Sequence, residues 1–412
     1  MLPLRPIARK RGVLLGTTVL IAAGAVTYSL WPTQRLSAEG GSFVRGGEAG
    51  FVVTDFAYAL GPDTQNTNAC PHGMSWDVSQ AFAATPEGKR RPGEDDEAYG
   101  KRLEDGGKRI SATPDGKNYC LHPALAPTDI HAQILVAPSA RADGIDLDGR
   151  VSRSAEDART GRLDFVGRDG AQGIDNQFWR AVGCNRSYQS SGPSNGFATE
   201  MYTGSWGILI KLGKVDDLRN DDDVEVGIFA NADPIQLSPT RKALEYATYA
   251  MDQDPRFRAS TRGRLANGVL TTDPVDVRFH HVVNGMYLER PLRDARIKAT
   301  LTPQGVLKGY LAGFTPVVEL YDYQFGFRTA KDAAGKPSPP ARVLGSSNGA
   351  ARVLGHTCHG IWQSLHKLAD GHPEPGSGAF TSISTQYRFE ARPAFVVDIE
   401  TRGSNDKLVR ND

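Results

Sequence analysis

The chain has 412 residues, with 48 Lys and Arg against 47 Asp and Glu, a net charge of +1. Setting aside Arg5, Arg9, Lys10 and Arg11 leaves 44 basic against 47 acidic residues, a balance of −3, and no basic stripe elsewhere offers nucleic acid a footing. With 39% hydrophobic and 23% charged residues the chain is globular, and its 45 Gly and 25 Pro favour a turn-rich β architecture over a helical bundle.

The four basic residues precede an uncharged run over 12–31. A basic flank followed by about 20 apolar or small residues is the pattern of a segment that enters a membrane with its N-terminus inside. Trp31 suits a bilayer interface and Pro32 ends the helix, which favours an uncleaved inner-membrane anchor. Ala23-Gly24-Ala25 alternatively reads as a signal-peptidase site, which would release the protein by secretion. Either way, residues 32–412 are expected in the periplasm or another extracytoplasmic space.

Residues 32–50 read as a linker, and 51–330 as the main domain, opening with an apolar strand over 51–60. The charged, Gly- and Pro-rich stretch 85–115 reads as an exposed insertion with one short helix near 96–103. A strand is expected over 130–137. Ile174, Phe178, Ala181 and Val182 share one face of a short helix that Gly183 ends. Residues 206–212 and 224–230 are strand-like. Ser238-Pro239 reads as the start of a helix through Met251. Short strands over 269–314 are divided by the turn pairs Asn284-Gly285 and Gln304-Gly305. The Pro-, Ser- and Gly-rich stretch 331–350 reads as a linker or loop. Residues 351–412 supply a helix from His356 to Asp370 and a closing strand over 387–399, which Pro393 confines to an edge or a bulge. The expected fold is β-rich, mainly antiparallel and sandwich-like, with a few short helices.

Cys70, Cys120, Cys184 and Cys358 form an even set, read as two disulfides in an oxidising compartment. Three connectivities are open. Cys70–Cys120 is the favoured pair, with Cys184–Cys358 following from it. The elements Cys70-Pro71-His72 and Cys120-Leu121-His122 offer a competing zinc or copper site.

The densest acidic signal holds Asp143, Asp146 and Asp148 with Gly144 and Gly149, followed by Glu156. Calcium needs six to eight oxygens on a tightly turning chain, so these four acids are the candidate ligands. Aligned on Asp146, Asp148 and Gly149, the run loosely resembles Asp-rich calcium loops, but Gly144 stands at the first ligand position and Glu156 falls one residue late. The competing reading is a set of Asx-turns.

Three motifs fail on context. Gly355 replaces the first cysteine of a haem-attachment motif ending Cys358-His359. Gly345-Ser346-Ser347-Asn348-Gly349 fits a nucleophile elbow but has no buried strand before it. Asn185-Arg186-Ser187 fits a glycosylation acceptor. His356, His359, His366 and His372 read as surface or loop histidines. Along 275–283, Asp276, Arg278 and His280 face one way and Val277, Phe279 and His281 the other. The expectation is therefore an anchored extracytoplasmic binding or structural protein, calcium-stabilised, meeting the inner membrane and another envelope protein or a small ligand. The alternative is an exported hydrolase whose active site draws on Asp175, Asp276, His280 and Glu289.

Overall fold

The computed structural model describes residues 43–399, apart from 66, 130, 131, 133, 155, 157–159, 195 and 232. The expected membrane segment at 1–31 lies outside the described residues. Among those described, no helix is long and apolar enough to cross a membrane.

Strand accounts for 33% of the described residues and helix for 24%, so the body is β-rich. The strands are β1 (Ala49–Tyr58), β2 (Gly207–Gly213), β3 (Asp221–Asn231), β4 (Ala247–Ala250), β5 (Arg258–Ala266), β6 (Val269–Thr272), β7 (Val275–Val283), β8 (Met286–Leu301), β9 (Leu307–Pro316), β10 (Gly371–Pro373) and β11 (Phe380–Val397). Eight of them pair in the order β1-β2-β3-β5-β6-β8-β9-β11, and β11 pairs back onto β1, every pairing antiparallel. The sheet thus closes on itself as a barrel. That corrects the sandwich expectation, for closure leaves those strands no free edge.

Local sequence accounts for much of this. Val283 pairs with Met286 across Asn284-Gly285, whose φ values of 50° and 65° are the left-handed pair that a two-residue hairpin needs. Gly305, at φ 83°, turns the chain between β8 and β9. Among the strands the first half of β8 pairs with β7, with one further bridge from Tyr287 to Lys331, so this hairpin extends past the barrel and packs against β2, β3 and β5. Pro393 costs the ladder nothing, because β9 stops pairing at Ala391. Its carbonyl accepts from Tyr246, and β4 then runs parallel to residues 394–397.

The helices are α1 (Val78–Ala84), α2 (Asp96–Ile110), α3 (Gln177–Val182), α4 (Ala198–Tyr202), α5 (Val317–Tyr321), α6 (Pro340–Leu354) and α7 (Cys358–Leu368). The charged stretch is more ordered than its composition suggests. Asp95 caps α2 by accepting from Ala98, and Phe82 packs beneath it, in contact with Gly106. No helix follows Ser238-Pro239, since Arg241 and Tyr246 take positive φ and the chain enters β4 instead. No strand is found among the described residues of 130–137. The expected loop at 331–350 gives way to α6 from Pro340, with Pro at the position that needs no N–H and Gly355 closing it in the left-handed conformation.

Both disulfides form, but with the other partners: Cys70–Cys184 and Cys120–Cys358. The sequence separations are 114 and 238 residues, so tertiary folding rather than proximity along the chain chose them. With all four thiols oxidised, the zinc or copper reading and the haem reading both fall. Two disulfides suit an oxidising, extracytoplasmic environment.

Candidate functional site

At one end of the barrel β1 finishes on Tyr58, which pairs in register with Tyr387 of β11. Their rings stack at 5.0 Å, and Phe197 and Trp206 meet edge to face at 5.3 Å beside them. The β7–β8 hairpin lays Arg290 onto this aromatic floor. Its guanidinium carbon lies 4.5 Å from the Tyr323 ring centre, 4.8 Å from Phe197 and 5.4 Å from Trp206.

Arg290 is only 6% exposed, and among the described residues no carboxylate lies within ion-pair reach of it. Its Nη1 donates to the Tyr58 hydroxyl at 3.3 Å and its Nη2 to Gln324 Oε1 at 2.9 Å, both neutral acceptors. Nη2 also lies 3.5 Å from His281 Nε2. Burial works against the guanidinium charge, but the Arg290 pKa stays above its already high ordinary value, helped by the hydrogen bond to Tyr58, so Arg290 keeps its charge. Burial lifts the phenols of Tyr58, Tyr323 and Tyr387 well above their ordinary value, leaving them neutral. His281 is held neutral, its pKa lowered first by burial and then by Arg290.

A guanidinium only donates, so His281 Nε2 accepts and its proton sits on Nδ1. That Nδ1, like Arg290 Nε, is buried with no hydrogen-bond partner. Both side chains line a cleft of about 480 Å³. One wall is α6, through Gly345, Ser346, Gly349 and Val353; Phe197 and Glu200 face it from around α4. The arrangement is a desolvated positive charge with two unfilled donors beneath an open cleft. It is suited to binding an anion.

The nucleophile-elbow motif falls on α6, where Ser347 is buried and its hydroxyl lies within hydrogen-bond reach of the Gly326 and Val343 carbonyls, its one proton going to either. It is helix packing. Asn185 is buried and its side chain accepts from Ser187, so this sequon is not presented as an acceptor. His356 and His359 are buried, against expectation. Burial lowers the His356 pKa to about 3, and His359 Nε2 pairs with Asp129 at 2.9 Å.

The expected acidic site is rearranged. Asp146, Asp148 and Asp175 place one oxygen each within 4.8 Å of one another, whereas Asp143 pairs with Arg168 and Glu156 stands outside the group. Asp146 accepts from Asp148 and Gly149, and Asp148 accepts from Arg150, which are Asx-turn bonds. Asp175 accepts from Leu147 at 2.7 Å, and burial pushes its pKa up to about 9, reinforced by Asp370, Asp164 and Asp148. None of these acids lines the cleft.

Of the hydrolase candidates, His280 and Glu289 are register partners across β7–β8 and line one groove, whereas Asp175 and Asp276 do not line it. His280 meets Asp252 at 2.9 Å in a separate groove of about 440 Å³, where Glu289 is engaged by Arg256 and Arg278. Asp276 accepts from Asp294 N, and Asp175 belongs to the acidic group. Sequence reasoning sets Arg290 and His281 with Asp276, Arg278, His280 and Glu289 among the polar residues on or beside two strands, a group that could bind a ligand, but does not take Arg290 as a site residue. The one available signal was its alternation with Leu288 and Leu292, which puts a cation on a buried face. Compared with models of known families, with characterised proteins and with solved structures, the chain matches none.

Proposed function

We propose that this chain is an exported binding protein that takes a small anionic ligand into the cleft above Arg290. One observation carries the reading: Arg290 is buried, permanently charged and without a carboxylate partner among the described residues, at the floor of an open cleft. Unpaired buried charge costs several kcal/mol, and a bound anion would offset that cost. The N-terminal segment is proposed to hold the body at the outer face of the inner membrane. The formed disulfides support export.

The test is a thermal-shift panel of acetate, sulfate, phosphate and neutral amides on the oxidised protein. Anions should raise the melting temperature of the native protein and not of Arg290→Met. Indifference of the native protein to every anion sinks the reading. A C-terminal reporter active only outside the cytoplasm tests the location, and its recovery as soluble cytoplasmic protein would refute export.

The hydrolase alternative retains one supporting observation, the His280–Asp252 pair at 2.9 Å. A hydrolytic role requires that His280→Ala abolish turnover of an ester or glycoside panel. Calcium stabilisation is proposed at the turn carrying Asp146 and Asp148: calcium should raise the melting temperature, and Asp146→Ala with Asp148→Ala should remove the effect. A melting temperature indifferent to calcium and chelator leaves those acids as turn residues.

A further inference from the structure

We infer that the ligand of this cleft is a monocarboxylate with an apolar body, a narrower class that rests on the anion reading above. The charge count sets the first limit. The floor holds one cation, Arg290, beside a neutral imidazole and neutral phenols. One buried positive charge neutralises one negative charge. A phosphate monoester brings roughly −1.5 to −2 at neutral pH, and the cleft lining offers no second cation for its surplus, its other charged group being the half-exposed Glu200.

The donors agree. Arg290 and His281 are in mutual contact and both line the cleft, and Arg290 Nε and His281 Nδ1 are left without a hydrogen-bond partner, so the polar part of the site is small, on the scale of one carboxylate. Phosphate sites characteristically add a helix N-terminus. Here α6 begins at Pro340, and it is the flank from Gly345 onward that lines the cleft.

The remaining surface fits an apolar body. Phe197, Val283, Phe327, Ala350, Val353 and Leu354 line the cleft. At Gly345 and Gly349 an added Cβ would meet nothing within 4 Å, so the open space reaches the helix backbone itself. The volume of about 480 Å³ falls in the range of small-molecule sites, roughly 300–1,000 Å³.

The experiment is calorimetric titration of the full chain, both disulfides formed, with 3-phenylpropanoate and octanoate. 3-Phenylpropanamide, phenyl phosphate and inorganic phosphate serve as comparison probes. The carboxylates should bind, with the amide weaker by roughly 30-fold or more, the loss expected when a buried charge pair is not made. Arg290→Met should lose carboxylate binding. Gly349→Trp, which fills open space on an exposed helix face, should lose it too and keeps the test decisive if the first variant does not fold. Preference for either phosphate would overturn the monocarboxylate class and leave the anion reading standing. Equal binding of amide and carboxylate, or unchanged binding in Arg290→Met, would overturn both.

Discussion

Arg290 shows how one side chain can be a cost to stability and a resource for function. Replacing a buried cation that has no carboxylate partner by an apolar residue of similar length is often neutral or stabilising. Arg290→Met is accordingly expected to melt within about 1 kcal/mol of the native protein or above it, while losing any anion-dependent rise. Chemical denaturation with and without ligand checks this, and a loss of 3 kcal/mol or more in the ligand-free protein would mark Arg290 as structural. Asp175 has a different consequence. Its folded pKa of about 9 stands above the ordinary 3.8, so its contribution to stability is full below pH 4 and is lost as pH rises through 9. Asp370, raised to about 7 by burial, acts in the same sense over a narrower window. Asp175→Asn, which can still accept from Leu147, should flatten the decline in melting temperature between pH 5 and 9. An unchanged pH profile would refute the assignment.

The β7–β8 hairpin is the element that delivers both Arg290 and His281, so its register decides the site. A slip of one residue would turn both side chains to the opposite face. The turn at Asn284-Gly285 holds that register. Gly285 at φ 65° makes Gly285→Ala strained by about 1–2 kcal/mol. Urea denaturation should show that loss, with anion binding weakened alongside it; an unaltered midpoint would mean the register is held elsewhere. Helix α6 supplies the opposite wall. Its buried stripe of Val343, Ser347 and Ala351 seats it against the body, which leaves the Gly345–Gly349 side open to the cleft. The two walls come from segments more than 50 residues apart, and neither makes a site alone.

At the scale of the whole molecule, the barrel is closed by β11 returning to β1. The segments between β1 and β2 are tied down by the two disulfides, each with an end in that region. Loops of this length make each bridge worth about 5 kcal/mol in the chain-entropy model. Reduction should therefore lower the melting temperature by well over 10 °C. Non-reducing peptide mapping should recover Cys70 linked to Cys184 and Cys120 to Cys358; recovery of a Cys70–Cys120 peptide would refute this topology.

Local chemistry was readable wherever a few neighbouring residues decide the outcome. The alternation over 275–283, the Asn284-Gly285 turn, the short helix ending at Gly183 and the helix after His356 all belong to that class. Pro340 and Gly355 carried the bounds of α6 as well, but the Ser and Gly between them masked a helix that is stabilised by packing rather than by propensity. Barrel closure, the disulfide partners and the Arg290 cleft were decided by contacts between distant segments. Arg290 meets Tyr58 from 232 positions away, and Cys120 meets Cys358 from 238. A buried charge is defined by what surrounds it, and only the tertiary fold brings those surroundings together.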